Sequence, residues 1–301
     1  MKRRVRIICL CLGVILLAGL LFGCGGGGKK VTIASKQFTE NVLLSEMYAQ
    51  LIESHTDIEV ERKQYLGGTS VSFPAMEKGE VDIYPEYSGT IYNEILKLED
   101  AQNLTADQIA QIAKEGLDKD HDITMFSPIG INNTFALGML RSKADELNIK
   151  SMSDLKGPAA DLRFGANHLY YTRENDGYDA MVDIYGMAFK ESQKMDSSLL
   201  YEAIDQGQLD VIVVYATDSL LKKYDMVILE DDQHMFPAYY GTPICRNDTL
   251  EKYPELKDLL DMLKDKFTDE SMQALDYEID VENKTPQEVA KNFLTENGLL
   301  K

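Results

Sequence analysis

Runs typical of β-strands alternate with runs typical of helices along the chain beyond residue 30. Residues 31–34 (Val-Thr-Ile-Ala) are typical of a short strand. From Thr39 the spacing becomes helical, because Leu43, Met47 and Leu51 lie four positions apart and share one helix face. Further strands are predicted at 58–62, 81–84, 135–140, 163–166, 211–214 and 227–229. Further helices are predicted at 71–78, 105–117, 153–158 and 199–205, and over most of the chain after 243.

Two helix starts carry a specific signal, the capping box. Thr105 is followed three positions later by Gln108, and Thr285 is followed by Glu288, with Pro286 at the first helical position. The alternation as a whole predicts α/β layers with parallel strands. In such open sheets ligands lie beyond the carboxyl ends of the strands, so functional residues are expected just after each strand.

The first residues have the pattern of an export signal. A basic start, which includes Lys2 and Arg3, precedes an uncharged run at 7–22 that is short for a membrane-spanning helix. The following Leu-Phe-Gly-Cys resembles a bacterial lipobox, which implies a signal peptide at 1–23 and lipidation of Cys24, with 24–30 as a flexible tether. A plain secretory signal and an uncleaved anchor stay open as alternatives.

Composition limits the class of protein. The chain has 301 residues, enough for two domains or one large one, and a formal charge of −19. This acid excess argues against a general nucleic-acid binder, which needs a basic face. Of the four cysteines only Cys245 follows the predicted lipidation site, so no internal disulfide is expected in the mature chain.

Motifs of catalysis and metal binding are absent from the sequence. The four histidines form no close helical pair, and there is no Walker loop, nucleophile elbow or His-Glu-x-x-His motif. We therefore predict no metal, no cofactor and no enzymatic activity. Asp82 and Glu86 are four positions apart, and a structural role is favoured over acid–base chemistry.

Polar and aromatic segments follow several of the predicted strands, and the chain contains 16 Tyr but no Trp. Seven segments occur in a fixed order: 35–40 (Ser-Lys-Gln-Phe-Thr-Glu), 67–70 (Gly-Gly-Thr-Ser), 84–90 (Tyr-Pro-Glu-Tyr-Ser-Gly-Thr), 133–137 (Asn-Thr-Phe-Ala-Leu), 173–177 (Arg-Glu-Asn-Asp-Gly), 215–218 (Tyr-Ala-Thr-Asp) and 236–240 (Phe-Pro-Ala-Tyr-Tyr). With this ordered set, the chain resembles the substrate-binding proteins of glycine betaine and osmoprotectant ABC transporters. The resemblance covers residues 31–301.

The resemblance implies a two-lobed α/β fold of the periplasmic-binding-protein type (type II), with a ligand cleft between the lobes. Lobe 1 would comprise 31–131 and 242–301, and lobe 2 would comprise 132–241. The later helices would then pack on lobe 1. Closure of the two lobes around the solute is the hinge motion of such proteins.

The family's aromatic cage aligns with four positions: Tyr87, Phe135, Tyr215 and Tyr239. A quaternary ammonium has no N–H to donate, but aromatic faces attract it through the ring quadrupole. Phe135 departs from the family's usual Tyr and lacks its hydroxyl, although it keeps a π-face. Tyr240 would replace Tyr239 if the register were shifted by one. Asn133 lies where some relatives carry an acidic residue, and it would either polarise the cage or cap a turn.

The solute carboxylate requires donors, and the resemblance places Lys36, Thr90 and Arg173 there. Lys36 also precedes a predicted helix start, where backbone N–H groups favour anions. Two alternatives stay open: Lys36 as a solvated surface charge, and Arg173 as an ion-pair partner of an acidic residue such as Glu40 or Glu86.

The sequence thus predicts a monomeric, lipid-anchored, extracytoplasmic receptor that delivers glycine betaine or a related compatible solute to a separate membrane permease. The nearest alternative is a receptor for choline, carnitine or another quaternary amine. Outside this class, an enzyme built on the same two-lobed fold and an adhesin-type lipoprotein are the competing hypotheses.

Overall fold

The computed structural model describes residues 28–98, 104–168, 170–173 and 176–301. The predicted signal peptide and Cys24 lie outside the described residues. In the described part of the chain, ten strands form two sheets of five. No helix among these residues has the length and apolar content needed to cross a membrane.

The first sheet has the strand order β2-β1-β3-β10-β4. Its strands are β1 (Lys30–Ala34), β2 (Glu59–Lys63), β3 (Ile83–Tyr87), β4 (Ile123–Met125) and β10 (Gly241–Arg246). Strand β1 runs parallel to β2 and β3, whereas β10 runs antiparallel to both β3 and β4. The chain therefore builds most of this sheet, leaves it after β4 and returns in the opposite direction.

The second sheet is built from the intervening segment, with the order β7-β6-β8-β5-β9. Its strands are β5 (Phe135–Leu140), β6 (Arg163–Ala166), β7 (Glu191–Lys194), β8 (Val211–Tyr215) and β9 (Met226–Ile228). Strand β6 runs parallel to β7 and β8, whereas β5 runs antiparallel to β8 and β9.

The predicted parallel pairing is found for β1 with β2 and β3 and for β6 with β7 and β8, but both sheets are mixed, because β10 and β5 run antiparallel to their neighbours. An alternating strand and helix pattern does not specify direction once a chain leaves a sheet and re-enters it. The helical prediction after 243 also missed β10, a central strand in which Pro243 faces Pro85 of β3. Proline has no backbone N–H to donate to a neighbouring strand, so a proline in the sequence argues against a central strand.

The helices surround the two sheets. They are α1 (Thr39–His55), α2 (Thr69–Glu77), α3 (Ser88–Thr90), α4 (Ala106–His121), α5 (Arg141–Leu147), α6 (Tyr178–Tyr185), α7 (Ser197–Asp205), α8 (Leu220–Lys223), α9 (Asn247–Lys252), α10 (Leu256–Leu260), α11 (Asp269–Asp280) and α12 (Pro286–Glu296). Both predicted capping boxes are confirmed, at Thr105 with Gln108 and at Thr285 with Glu288.

Each sheet has an apolar core on both of its faces. In β3, Ile83 packs into one core and its neighbour Tyr84 into the other, as the alternation of side chains along a strand requires. In β5, Leu137 and Ala136 divide in the same way between the two cores of the second sheet. Val289 of α12 belongs to the Ile83 core, so the last helix packs on the first sheet. The fold is thus two α/β lobes, one around each sheet.

Candidate functional site

A cavity of about 550 Å³ lies between the two lobes. Its walls contain all eight residues that the sequence predicted as ligand-binding, namely Lys36, Tyr87, Thr90, Asn133, Phe135, Arg173, Tyr215 and Tyr239. The structure therefore brings together side chains as far apart in the chain as Lys36 and Tyr239. Whether each of them binds a solute stays a prediction.

The ends of strands place most of these side chains. Tyr87 is the last residue of β3, and Thr90 follows it in α3. Phe135 is the first residue of β5 and pairs with Tyr215, the last residue of β8, because these two strands are antiparallel. Lys36 lies in the turn between β1 and α1. The cavity thus lies at strand ends of both sheets, as expected for α/β folds.

The aromatic end of the cavity, formed by Phe135, Tyr215, Tyr239 and Arg173, contains stacked rings and one guanidinium. The centroids of Phe135 and Tyr215 are 5.0 Å apart, with an interplanar angle of 27°. Tyr215 is 37% exposed, whereas Phe135 is only 5% exposed, so Tyr215 offers the more accessible ring face. Tyr239, rather than its neighbour Tyr240, lines the cavity. This agrees with the motif alignment that contains no one-residue shift.

Arg173 is held at this end by several partners. Its Cζ lies 5.1 Å from the Phe135 centroid, and its Nη2 donates to the Tyr239 hydroxyl at 2.9 Å. Its Nε donates to Asp176 Oδ1 at 2.6 Å. The alternative in which Arg173 pairs with Glu40 or Glu86 is therefore wrong: the acidic partner comes from its own loop, three positions away.

Lys36 and Glu86 form a buried ion pair in the cavity wall. Their side chains are 7% and 0% exposed, respectively, so the reading of Lys36 as a solvated surface charge is wrong. Glu86 also accepts hydrogen bonds from the hydroxyls of Thr69, at 3.2 Å, and Tyr84, at 3.1 Å. Lys36 Nζ lies 5.1 Å from the centroid of the Tyr87 ring. Glu86 thus compensates and positions the lysine, in line with its predicted structural role.

A second part of the cavity wall, called the acidic end, was missed by the sequence analysis. It is formed by four carboxylates: Glu40, Asp218, Asp276 and Asp280. Glu40 and Asp218 stand within motif segments that were recognised, so position in a motif was an available signal. Asp276 and Asp280 are one turn apart on α11, and from sequence they are typical of an ordinary solvated helix face.

Four hydrogen bonds connect the acidic end to its surroundings. Glu40 accepts hydrogen bonds from the Tyr87 hydroxyl and from Asn133 Nδ2, the latter at 3.0 Å. Asp280 accepts from Thr39 at 2.6 Å and from Ser219, in the second lobe, at 2.7 Å. The hydrogen bond of Asn133 thus joins its loop to the carboxylate of Glu40, and the two predicted roles of Asn133 stay predictions.

The acidic end has an unusual electrostatic environment. Burial raises the pKa of Glu40, although the hydroxyls of Thr217 and Tyr87 oppose the effect. The pKa of Asp276 lies well above its ordinary value, first because of burial and then because of the charges of Glu40 and Asp280. Among the ion pairs in the described ranges, none includes one of the four carboxylates of this end. The end thus favours a positively charged or hydrogen-bond-donating group.

The described residues contain no cluster of three or more His, Cys, Asp or Glu side chains arranged to hold a metal ion.

Two α/β lobes around a polar, aromatic-walled cavity define the class of two-lobed solute-binding proteins. The model of the family described as "Substrate binding domain of ABC-type glycine betaine transport system" matches residues 29–296, and the chain belongs to this family. The predicted family and the predicted two-lobed fold are therefore confirmed. As a member, the chain is an extracytoplasmic substrate-binding component of a transport system.

Similar proteins agree with this assignment. The carnitine transport binding protein OpuCC of Listeria monocytogenes is 32% identical over 294 residues, which is 95% of each chain. The ergothioneine transport permease/ergothioneine binding protein EgtU of Helicobacter pylori is 31% identical over 272 residues, which is 90% of this chain but 48% of EgtU. The chain thus spans about half the length of that relative. A crystal structure described as a glycine betaine/carnitine/choline ABC transporter superposes with a TM-score of 0.84 at 29% identity, covering 90% of this chain and 100% of the other.

Proposed function

We propose that the protein is the solute receptor of an ABC importer and binds glycine betaine or a related quaternary-ammonium compatible solute without changing it chemically. The observation that carries this proposal is the single cavity in which three tyrosines and Phe135 lie together with Lys36, Thr90 and Arg173. The family assignment and the carnitine-binding relative support the same class of solute.

The physics of the solute fits the aromatic residues. Each desolvated contact between a quaternary ammonium and a ring contributes about 1–2 kcal/mol, so three or four rings support binding in the micromolar range. Tyr215 provides the most exposed ring at the aromatic end, and the Arg173–Phe135 contact is a cation–π pair within the cavity itself. We expect the solute ammonium to lie over the face of an aromatic ring in this cavity, as the Arg173 guanidinium does over Phe135.

The solute carboxylate would lie near the cationic side chains and the start of α1. Residues 36–39 line the cavity. Phe38 is the N-cap residue of α1, and its side chain makes no capping hydrogen bond. Free N–H groups at a helix start favour an anion. Lys36 retains further donors beyond the one directed at Glu86, since an ammonium group has three. Thr90, which also lines the cavity, provides a hydroxyl.

The proposed lobes are 31–131 with 242–301 and 132–241, and closure would bring them together around the solute. The hydrogen bond between Ser219 and Asp280, at 2.7 Å, joins the two lobes beside the cavity. A loaded, closed receptor would then dock on its permease, and uptake would raise the osmolyte content of the cell under hyperosmotic stress.

We also propose that Cys24 carries a lipid that anchors the receptor to the membrane surface. The test is membrane fractionation of the full chain and its Cys24→Ala variant. The anchor predicts that the wild type stays with the membrane and that the variant is released; equal distribution of both would contradict it.

Isothermal titration of residues 25–301 tests the proposed solute class. The protein is refolded to remove carried-over ligand and titrated with glycine betaine, carnitine and choline. Micromolar binding that weakens at least tenfold in Tyr215→Ala, a loss of about 1.4 kcal/mol or more, is the expected result. Lys257→Ala on α10, far from the cavity lining, is the matched control and should bind as the wild type does. Absence of heat with all three solutes would contradict the proposal.

A further inference from the structure

Phe38 is an exposed aromatic residue in the cavity wall that the motif alignment did not place among the ligand-binding positions. It is 39% exposed and lines the cavity. It occupies the N-cap position of α1, where its side chain makes no capping hydrogen bond. N-cap positions favour Ser, Thr, Asp and Asn, whose side chains accept from the free N–H groups of the helix start. The stability of α1 therefore does not explain a phenylalanine at this position.

The ring of Tyr87, a predicted member of the aromatic cage, is covered by other side chains. Tyr87 is only 4% exposed. The Phe38 ring stacks on it, with centroids 6.1 Å apart and an interplanar angle of 29°. Lys36 Nζ lies 5.1 Å from its centroid, and its hydroxyl donates to Glu40. In this part of the cavity, Phe38 rather than Tyr87 therefore keeps accessible ring surface.

A quaternary ammonium needs an accessible ring face, because the attraction requires the cation within about 6 Å of the ring centroid. Phenylalanine provides such a face without a hydroxyl that needs a polar partner. Glycine betaine carries its ammonium and its carboxylate one methylene apart, so a ring for the ammonium must lie close to donors for the carboxylate. Phe38 meets this requirement, because it is two positions from Lys36 and stands at the start of α1.

We propose that Phe38, rather than Tyr87, provides the ring face for the solute ammonium in this part of the cavity. Tyr87 then supports the Phe38 ring by stacking on it and holds Glu40 through its hydroxyl. This inference rests on the proposed function and changes which residue contacts the solute.

Isothermal titration of the receptor, residues 25–301, with glycine betaine tests the role of the ring. Phe38→Leu keeps an apolar side chain but removes the π-face, and it should weaken binding at least about fivefold. Phe38→Tyr keeps the face and should bind within about threefold of the wild type. The matched control is Tyr65→Leu, which replaces a 59% exposed aromatic residue outside the cavity lining and should leave binding unchanged. Equal losses in Phe38→Leu and Phe38→Tyr, or wild-type binding by Phe38→Leu, would overturn the inference.

A neutral analogue separates the π-face from the shape of the cavity wall. The probe 3,3-dimethylbutanoate has the shape and carboxylate of glycine betaine, with a carbon in place of the charged nitrogen. Displacement titration measures its affinity for the wild type and for Phe38→Leu. The substitution should weaken glycine betaine binding at least about fivefold more than binding of the analogue. Equal losses for both solutes, as a purely structural role of Phe38 or a poorly folded variant would give, would overturn the inference.

Failure of this inference and failure of the proposed function are distinguishable. If the wild type binds no quaternary amine, both fail together. If Tyr215→Ala weakens glycine betaine binding and Phe38→Leu does not, only the role of Phe38 fails.

Discussion

The two ends of the cavity differ in how fully their polar groups are satisfied. At the aromatic end, Arg173 is held by Asp176, the Tyr239 hydroxyl and the Phe135 ring. At the acidic end, Asp276 Oδ1 is buried without a partner, and no ion pair in the described part of the chain involves Asp276. The aromatic end is therefore ordered by contacts within the protein, whereas the acidic end keeps a buried acceptor that the described residues do not satisfy.

This difference separates affinity from stability. We expect the ordered aromatic wall to favour affinity for the proposed quaternary ammonium, because prior ordering lowers the cost of binding. The buried acceptor without a partner instead lowers the stability of the protein. Retaining a destabilising buried carboxylate is expected where function requires it.

The largest expected effect concerns the buried ion pair of Lys36 and Glu86. Glu86→Gln leaves the buried Lys36 ammonium without its counter-ion, which should lower the free energy of unfolding by about 3 kcal/mol or more. Urea denaturation measures this. The control is Glu61→Gln, which breaks the exposed pair with Lys30 and should change stability little. Equal effects of the two substitutions would show that the buried pair is not important for stability.

A smaller effect is expected from the Tyr239 ring at the aromatic end. Tyr239→Ala should weaken carnitine binding by about 1–2 kcal/mol, roughly 5- to 30-fold, because one aromatic face is lost. Tyr239→Phe keeps the face but loses the hydroxyl that accepts from Arg173, so titration should show a loss smaller than that of the alanine variant. Equal losses would mean that the hydroxyl, rather than the ring, matters at this position.

The smallest effect is a pH dependence of stability from the acidic end. The folded pKa of Asp276 is raised, so the native state binds more protons than the unfolded state above the unfolded pKa of about 3.9. Stability from this group is thus greatest at low pH and is lost as pH rises through the folded pKa. Asp276→Asn should therefore be more stable than the wild type at pH 8, by about 1 kcal/mol.

Thermal unfolding of the wild type and Asp276→Asn between pH 4 and pH 8 checks this sign. The advantage of the variant should shrink toward pH 4, where the wild-type carboxyl is protonated. Glu40 interacts with Asp276, so the two titrate together and the transition is expected to be broad. A stability difference that does not change with pH would contradict the raised pKa.

Sequence reasoning succeeded where local chemistry determines structure. The capping boxes at Thr105 and Thr285 rest on short-range hydrogen bonds, and both form as predicted. The aromatic positions Tyr87, Phe135 and Tyr215 follow from ordered motifs and stand at strand ends of the two sheets, where α/β folds place ligands.

Other features depend on long-range contacts that no local pattern carries. Strand β10 contains Pro243, and only its position between β3 and β4 makes it a strand. Asp276 has the sequence environment of a solvated helical residue, yet the approach of the second lobe to α11 buries it. The pairing of Arg173 with Asp176 was also missed. The two residues lie in one loop, and only the folded shape of that loop brings their side chains together.

A crystal structure of residues 25–301 with L-carnitine would show the proposed solute site. We expect the trimethylammonium nitrogen within about 6 Å of the ring centroids of Tyr215 and Tyr239, in the cavity between the lobes. The solute carboxylate should lie toward Lys36 and Thr90. A carnitine molecule bound outside this cavity, or with its carboxylate against the rings, would refute the proposed site.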